Sequence, residues 1–198
     1  MRRLGIALAS VILLAGCGGG ASSDGELSGS VVDPPFEVGT TALPDTDGRP
    51  TTLQDGDARL TLVFFGYTNC ATECPAVMST VTSALTRLSD ADRDDVQLVF
   101  VSTDPSRDTA EVLRRYLDGY DPSYVGLTGD LEATVELAET VGIFVADAEQ
   151  MASGGYDLGS HGTQVVGMDA SGEAPVFWGM DTSSAQYAAD IELLLGGD

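Results

Sequence analysis

Two short runs constrain this chain more than any other feature: Arg59-Leu60-Thr61-Leu62-Val63-Phe64-Phe65 and Val96-Gln97-Leu98-Val99-Phe100-Val101. Both are rich in β-branched and aromatic residues and too continuously apolar to leave one face in water, the pattern of strands covered on two sides. Each leads into apolar residues at helical spacing. Val77, Met78, Val81, Leu85 and Leu88 repeat within Pro75 to Leu88, and Val112, Leu113, Tyr116 and Leu117 within Thr109 to Leu117. A strand followed by a helix, then again, calls for crossover connections, which lay strands parallel in one sheet and helices on its faces.

Further along, a third helix is predicted over Leu131 to Val141. Thr163 to Met168 and Ala174 to Trp178 read as two strands around the turn Asp169-Ala170-Ser171-Gly172, and Ser184 to Leu195 as an amphipathic closing helix. Strand–helix alternation ending in a hairpin and a helix predicts an α/β sandwich of thioredoxin-like architecture, a central mixed β-sheet flanked by helices. With 198 residues, 43% of them hydrophobic, the chain has material for one such domain, and no internal repeat is visible. Asp147 to Ser160, with Gly154, Gly155 and Gly159, reads as a long mobile loop.

Charge excludes one class of partner. The formal net charge is −22, and all nine basic residues are arginines. No basic patch can form on that background, so the chain is not a nucleic-acid binder. The absence of Lys and the abundance of Asp fit a solvated acidic surface suited to high salt, where self-repulsion is screened.

The first residues, Met1-Arg2-Arg3 and the apolar run Leu4 to Leu14, read as an export signal, because the run is shorter than the roughly 20 residues a membrane span requires. It ends in Leu14-Ala15-Gly16-Cys17, which resembles the lipobox of secreted lipoproteins, so residues 1–17 are expected to be the signal and Cys17 a lipid anchor. Residues 18–32, opening with Gly18-Gly19-Gly20-Ala21-Ser22-Ser23, are a flexible tether by composition, and residues 33–198 the folded domain. The expected location is the outer face of the cytoplasmic membrane.

With Cys17 assigned to lipid, Cys70 and Cys74 remain, in Gly66-Tyr67-Thr68-Asn69-Cys70-Ala71-Thr72-Glu73-Cys74-Pro75. They stand where a buried strand turns into a helix, with Pro75 suited to the first helical turn. Orphan N–H groups and the helix dipole at that position predict a bias toward thiolate at both. Three residues between the sulfurs, rather than two, allow a structural disulfide, a redox dithiol or a splayed pair aimed at one metal ion. His161, the only histidine, precedes the predicted hairpin, on the loop that a thioredoxin-like sheet turns toward the start of the first long helix. Two thiolates and an imidazole suit copper, whereas structural zinc takes four ligands. Met78, Met168 and Trp178 lie at core positions of their elements and are read as packing residues.

These residues carry a family resemblance. Phe64-Phe65-Gly66-Tyr67-Thr68-Asn69-Cys70, the CxxxCP ending at Pro75, Ser102-Thr103-Asp104-Pro105-Ser106-Arg107-Asp108-Thr109, Val125-Gly126-Leu127-Thr128-Gly129 and the single downstream His161 together resemble the Sco/SenC family, from about Pro35 to Leu195. The resemblance implies a thioredoxin-like fold, a place on the outer face of the respiratory membrane, and a part in assembling the CuA centre of cytochrome c oxidase. It implies copper ligation by Cys70, Cys74 and His161, with Cu(I) as the first expected state and Cu(II) the second. The chain departs from the family at Ala71, where a Pro is common, and at Ser160, where an Asp usually precedes the His. Asp104 and Asp108, at a strand end near the metal face, are read mainly as turn and helix-cap residues.

The expected function is therefore a membrane-tethered copper metallochaperone whose partners are an apo-oxidase copper-site subunit, the membrane and a thiol reductant. The alternative is a thiol-disulfide oxidoreductase that keeps exported or oxidase cysteines reduced, with Cys70 and Cys74 catalytic and Cys70, the more exposed, attacking first. A thiol peroxidase is a third reading of the same pair.

Overall fold

The computed structural model describes residues 25–143, 145, 149–150, 156–157 and 162–196. In chain order the elements are β1 (Ser30–Glu37), β2 (Leu43–Pro44), β3 (Pro50–Thr51), β4 (Leu60–Gly66), α1 (Glu73–Leu85), α2 (Asp90–Asp94), β5 (Val96–Ser102), α3 (Ala110–Asp118), β6 (Val125–Leu127) and α4 (Leu131–Thr140). They continue with β7 (Glu149–Gln150), β8 (Tyr156–Asp157), β9 (Val165–Asp169), β10 (Glu173–Trp178) and α5 (Ser184–Gly196).

One sheet of six strands, ordered β1-β10-β9-β4-β5-β6, organises the molecule. Strands β4, β5 and β6 run parallel, while β9, β10 and β1 are added antiparallel, which makes the sheet mixed. The expected strands and helices are all present, within a few residues of their expected bounds. Every residue of β4 is buried, because its alternate side chains enter two different cores. Leu60, Leu62 and Phe64 join Leu98, Phe100 and Trp178 on the face covered by α1, α3 and α5. Val63 and Phe65 join Val99, Val101 and Val166 on the face covered by α4 and by Leu43 and Leu53 of the β2–β3 region. Met78 and Met168 are buried in these opposite cores, and Trp178 is fully buried, so all three are packing residues.

Three features were not anticipated. The folded chain starts earlier than expected: Ser28 and Gly29 donate their N–H groups to Asp190 of α5 at 2.9 and 2.8 Å, and Trp178 Nε1 donates to the same carboxylate at 2.7 Å. A Cβ on Gly29 would stand 2.6 Å from Trp178 Nε1, so only glycine lets the strap lie over the indole. Second, α1 ends at Leu85 rather than Leu88, and Ser89 opens the short α2 by accepting from Asp92 N–H at 3.1 Å. Third, Glu149–Gln150 pairs with Tyr156–Asp157, so the segment read as a loop contains a two-stranded ribbon; its other residues lie outside those described.

Leu113, fully buried between α3 and the sheet, reports on this core. Leu113→Ala is expected to lower unfolding free energy by about 2–5 kcal/mol in denaturant titration, from lost transfer energy and the cavity left behind. Val31→Ser, at a position 65% exposed on the sheet edge, is expected to change it by less than about 0.5 kcal/mol.

Candidate metal centre

The parallel strands deliver their C-terminal ends to one edge of the sheet, where ligands are bound in open α/β folds. Gly66 ends β4 there, and the chain turns through Tyr67 to Thr72 before α1 begins. Cys70 N–H closes the turn onto the Tyr67 carbonyl at 3.2 Å. Thr72 occupies the N-cap of α1 but its side chain makes no cap hydrogen bond. The Cys70 sulfur takes that role, accepting from Cys74 N–H at 3.2 Å, so one orphan donor of the helix start is spent on a thiol. Pro75 lies in the first turn of α1, as expected, where its missing N–H costs no helical bond.

Both cysteines are reduced and free. Cys70 is 7% exposed and Cys74 not at all, so Cys70 is the outer member of the pair, again as expected. The thiolate bias expected at both positions fails at Cys74. Burial pushes its thiol up to about 12, against a lesser pull from the Tyr67 backbone N–H, and the neighbouring Cys70 and Glu73 push the same way. Gly66 makes room for this sulfur: a Cβ there would lie 3.2 Å from Cys74 Sγ and 2.9 Å from the Phe64 ring. Burial also raises the Tyr67 hydroxyl to about 12, with Cys70 adding to the shift by charge and by hydrogen bonding. The exposed Glu73 carboxylate accepts from the Cys70 thiol at 3.6 Å, a long contact even for sulfur.

Asp104 and Asp108 follow β5 and are fully buried. Asp104 is the turn residue expected: its carbonyl accepts from Arg107 and Asp108 N–H, and its carboxylate from Ser106 Oγ at 2.7 Å and from Arg107 Nε. Asp108 is not a helix cap. Thr109 caps α3, accepting from Val112 N–H at 3.3 Å, and the Asp108 carboxylate turns instead toward Thr68. Sequence reasoning missed this contact because the partners are 40 residues apart.

His161 and Cys17 lie outside the described residues. Among the described residues no three His, Cys, Asp or Glu side chains are grouped to hold a metal ion, so the thiol pair is the local donor set. The register does constrain the chain after His161: Val165 opens β9 opposite Phe64, near the end of β4 that carries the cysteine turn. A cleft of about 390 Å³ lies at the other end of the sheet, beside Asp57, Thr86, Arg93 and Tyr124. It contains neither cysteine. No described helix is long and apolar enough to cross a membrane.

The buried thiol fixes a sign for the alkaline response of the reduced protein. Because the folded value exceeds the ordinary 9.0, the stability associated with neutral Cys74 is complete below about pH 9 and is lost as pH climbs toward about 12. The thermal midpoint is expected to fall across that window, and less steeply in Cys74→Ala, in scans of reduced protein at constant ionic strength.

Comparison with known proteins agrees with this geometry. Residues 30–196 match the SCO1/SenC family model. The SCO2 protein of Saccharomyces cerevisiae mitochondria is 36% identical over 87 residues, 44% of this chain and 29% of that protein. A putative copper-binding protein of Stutzerimonas stutzeri is 32% identical over 130 residues, 65% of this chain and 63% of that protein, so this chain spans less than two thirds of the length of either relative. Among solved structures, apo Sco1 of Thermus thermophilus superposes with a TM-score of 0.74 at 29% identity, covering 86% of this chain and 96% of that one. The copper-bound ScoI of Bradyrhizobium japonicum gives a TM-score of 0.66 at 28% identity, covering 80% and 96%. A family match over nearly the whole described chain, on a thioredoxin-like sheet with the cysteine turn at its carboxyl edge, places this protein in the SCO1/SenC family.

Proposed function

We propose that this protein binds copper through Cys70, Cys74 and His161 and passes it by ligand exchange to the CuA site of cytochrome c oxidase, as a metallochaperone tethered through Cys17. The observation that carries the reading is the thiol pair itself. Two reduced, soft donors stand one helical turn apart, with the Cys70 sulfur already oriented by the Cys74 N–H at 3.2 Å. Supporting it, β9 begins opposite Phe64, so the chain that follows His161 arrives at the same end of the sheet. A relative of the same fold at 28% identity is known with copper bound. Copper here is cargo, and a site with few protein donors leaves positions through which a recipient's ligands can enter.

The residues have distinct parts. Cys70, the outer sulfur, is the one an incoming ion or recipient thiol meets first. Cys74 gives up a proton when metal binds, because burial holds it as a thiol. The His161 imidazole is the third donor of the proposed set. Tethering at the outer face of the cytoplasmic membrane would keep the site beside an integral oxidase, and the acidic, lysine-free surface is suited to an external solution of high salt.

The same sulfurs favour a second reading, a thiol-disulfide reductase. Cys70 attacks a target disulfide, giving a mixed disulfide; the Cys74 sulfur displaces the target thiol, leaving the target reduced and Cys70–Cys74 oxidised. The buried resolving thiol beneath a more accessible one is the observation in its favour.

Titration of the reduced full chain with Cu(I) against a competing chelator separates the two. One copper per chain is expected. Cys70→Ala, Cys74→Ala and His161→Ala should each weaken binding by at least about a hundredfold, about 2.7 kcal/mol. Binding that is indifferent to His161, together with rapid cycling of the cysteine pair against a disulfide substrate, would replace the chaperone with the reductase.

A further inference from the structure

The Asp108 carboxylate is fully buried, which is costly for a charge unless its oxygens are occupied. Three donors occupy them: Thr68 N–H at 3.0 Å, Thr68 Oγ1 at 2.5 Å and Ser102 Oγ at 2.7 Å. Two of the three come from one residue, and that residue belongs to the turn that ends in Cys70. The third ties the carboxylate to the last residue of β5. The Asp108 backbone is held as well, since its N–H donates to the Asp104 carbonyl at 2.9 Å and its own carbonyl accepts from Thr128 Oγ1 at 2.7 Å. Nothing in α3 needs the carboxylate, because Thr109 caps that helix.

We infer that Asp108 is a positioning residue for the thiol site: through its two bonds to Thr68 it holds the Tyr67–Cys70 turn against the end of β5, in the geometry that presents the Cys70 sulfur. The inference deepens the proposed use of the thiol pair and rests on it for the copper readout alone. Gly66, at the start of the turn, is pinned from the same side, its carbonyl accepting from Thr103 N–H at 2.8 Å and Thr103 Oγ1 at 3.2 Å. The free stretch between that pin and the Cys70 N–H bond to Tyr67 is therefore short, and Thr68 is its middle. Without the carboxylate, the Thr68 N–H and hydroxyl and the Ser102 hydroxyl all lose their acceptor at once.

The test compares Asp108→Asn with Asp190→Asn, a second buried carboxylate with three donors, none of them in the cysteine turn, that holds the Ser28–Gly29 strap. Measurements use the reduced full chain, well below the unfolding midpoint of each variant. Asp108→Asn puts an amide against the Thr68 N–H or the two hydroxyls. It is expected to speed amide exchange at Thr68 and iodoacetamide alkylation of Cys70 by about tenfold each, and to weaken Cu(I) by a similar factor. That matches about 1.4 kcal/mol, near the low end for a hydrogen bond to a charged group. Asp190→Asn is expected to lower the unfolding midpoint while leaving all three readouts at wild-type values. Thr68→Val, which keeps the amide bond and loses the hydroxyl bond, should shift the readouts part way, and the double variant should be no worse than Asp108→Asn. Equal effects from Asp108→Asn and Asp190→Asn, or additive effects of Asp108→Asn and Thr68→Val, would overturn the inference. If Asp108→Asn does not fold, Thr68→Val decides: unchanged exchange and alkylation overturn the inference, and faster rates uphold it. If wild-type protein fails to take up Cu(I), the copper proposal fails by itself, and the exchange and alkylation rates still decide the role of Asp108.

Discussion

The thiol site depends on a single backbone junction, the end of β4 at Gly66. Its carbonyl is fastened to Thr103 beyond the neighbouring strand, and its missing side chain is the space into which the Cys74 sulfur and the Phe64 and Phe100 rings press. A methyl group there would collide with all three, at 2.9 to 3.2 Å from their nearest atoms. Close packing is unforgiving at that scale. The strand must end there so that α1 can begin with one sulfur in the core and the other at the rim. The contrast between the two cysteines follows from this junction rather than from their spacing.

Helix-terminus electrostatics and desolvation compete at that place, and the structure shows which prevails for the inner thiol. A helix N-terminus offers at most a few tenths to about two kcal/mol to an anion beside it, whereas burial of a charge costs more unless it is directly paired. Cys74 lies inside the first turn with its side chain in the apolar layer, so it pays the desolvation cost; its own N–H is turned toward Cys70. A neutral inner thiol is no threat to the core; under the proposed copper binding, a soft metal that displaced its proton would supply the pairing that makes the anion tolerable there.

Much of this architecture was legible in the sequence. The doubly covered strands β4 and β5 and the helices that follow them announce themselves because their apolar periodicity is dictated by burial on known faces. The CxxxCP turn was legible for the same reason, since a buried strand running into a proline-started helix leaves little freedom for what lies between. The edge strand β1 and the short pair β2 and β3 were not, because β1 is interrupted by Pro34 and Pro35 and is half exposed, and two-residue strands carry no period. Long-range polar contacts were the other blind spot. Asp108 and Asp190 look like ordinary acidic residues in a chain with thirty-one of them, yet each is buried and bonded to backbone 40 and more than 160 residues away.

That distinction also orders the meaning of the charge. Of the acidic residues described, a small minority are buried: Asp45, Asp104, Asp108 and Asp190. Each is surrounded by hydrogen-bond donors and holds a turn or, for Asp190, the Ser28–Gly29 strap in place. The remainder closes helix starts and turns, as Asp130 and Asp169 do, or pairs with the few arginines, as in Arg115–Glu111 and Arg93–Asp90, ion pairs that are worth little in water and less in salt. The net charge of −22 therefore acts as a solvation shell rather than as architecture. The carboxylates that bond distant backbone, Asp108 and Asp190, are ones that left the surface, and Asp108 left it for the turn that carries Cys70.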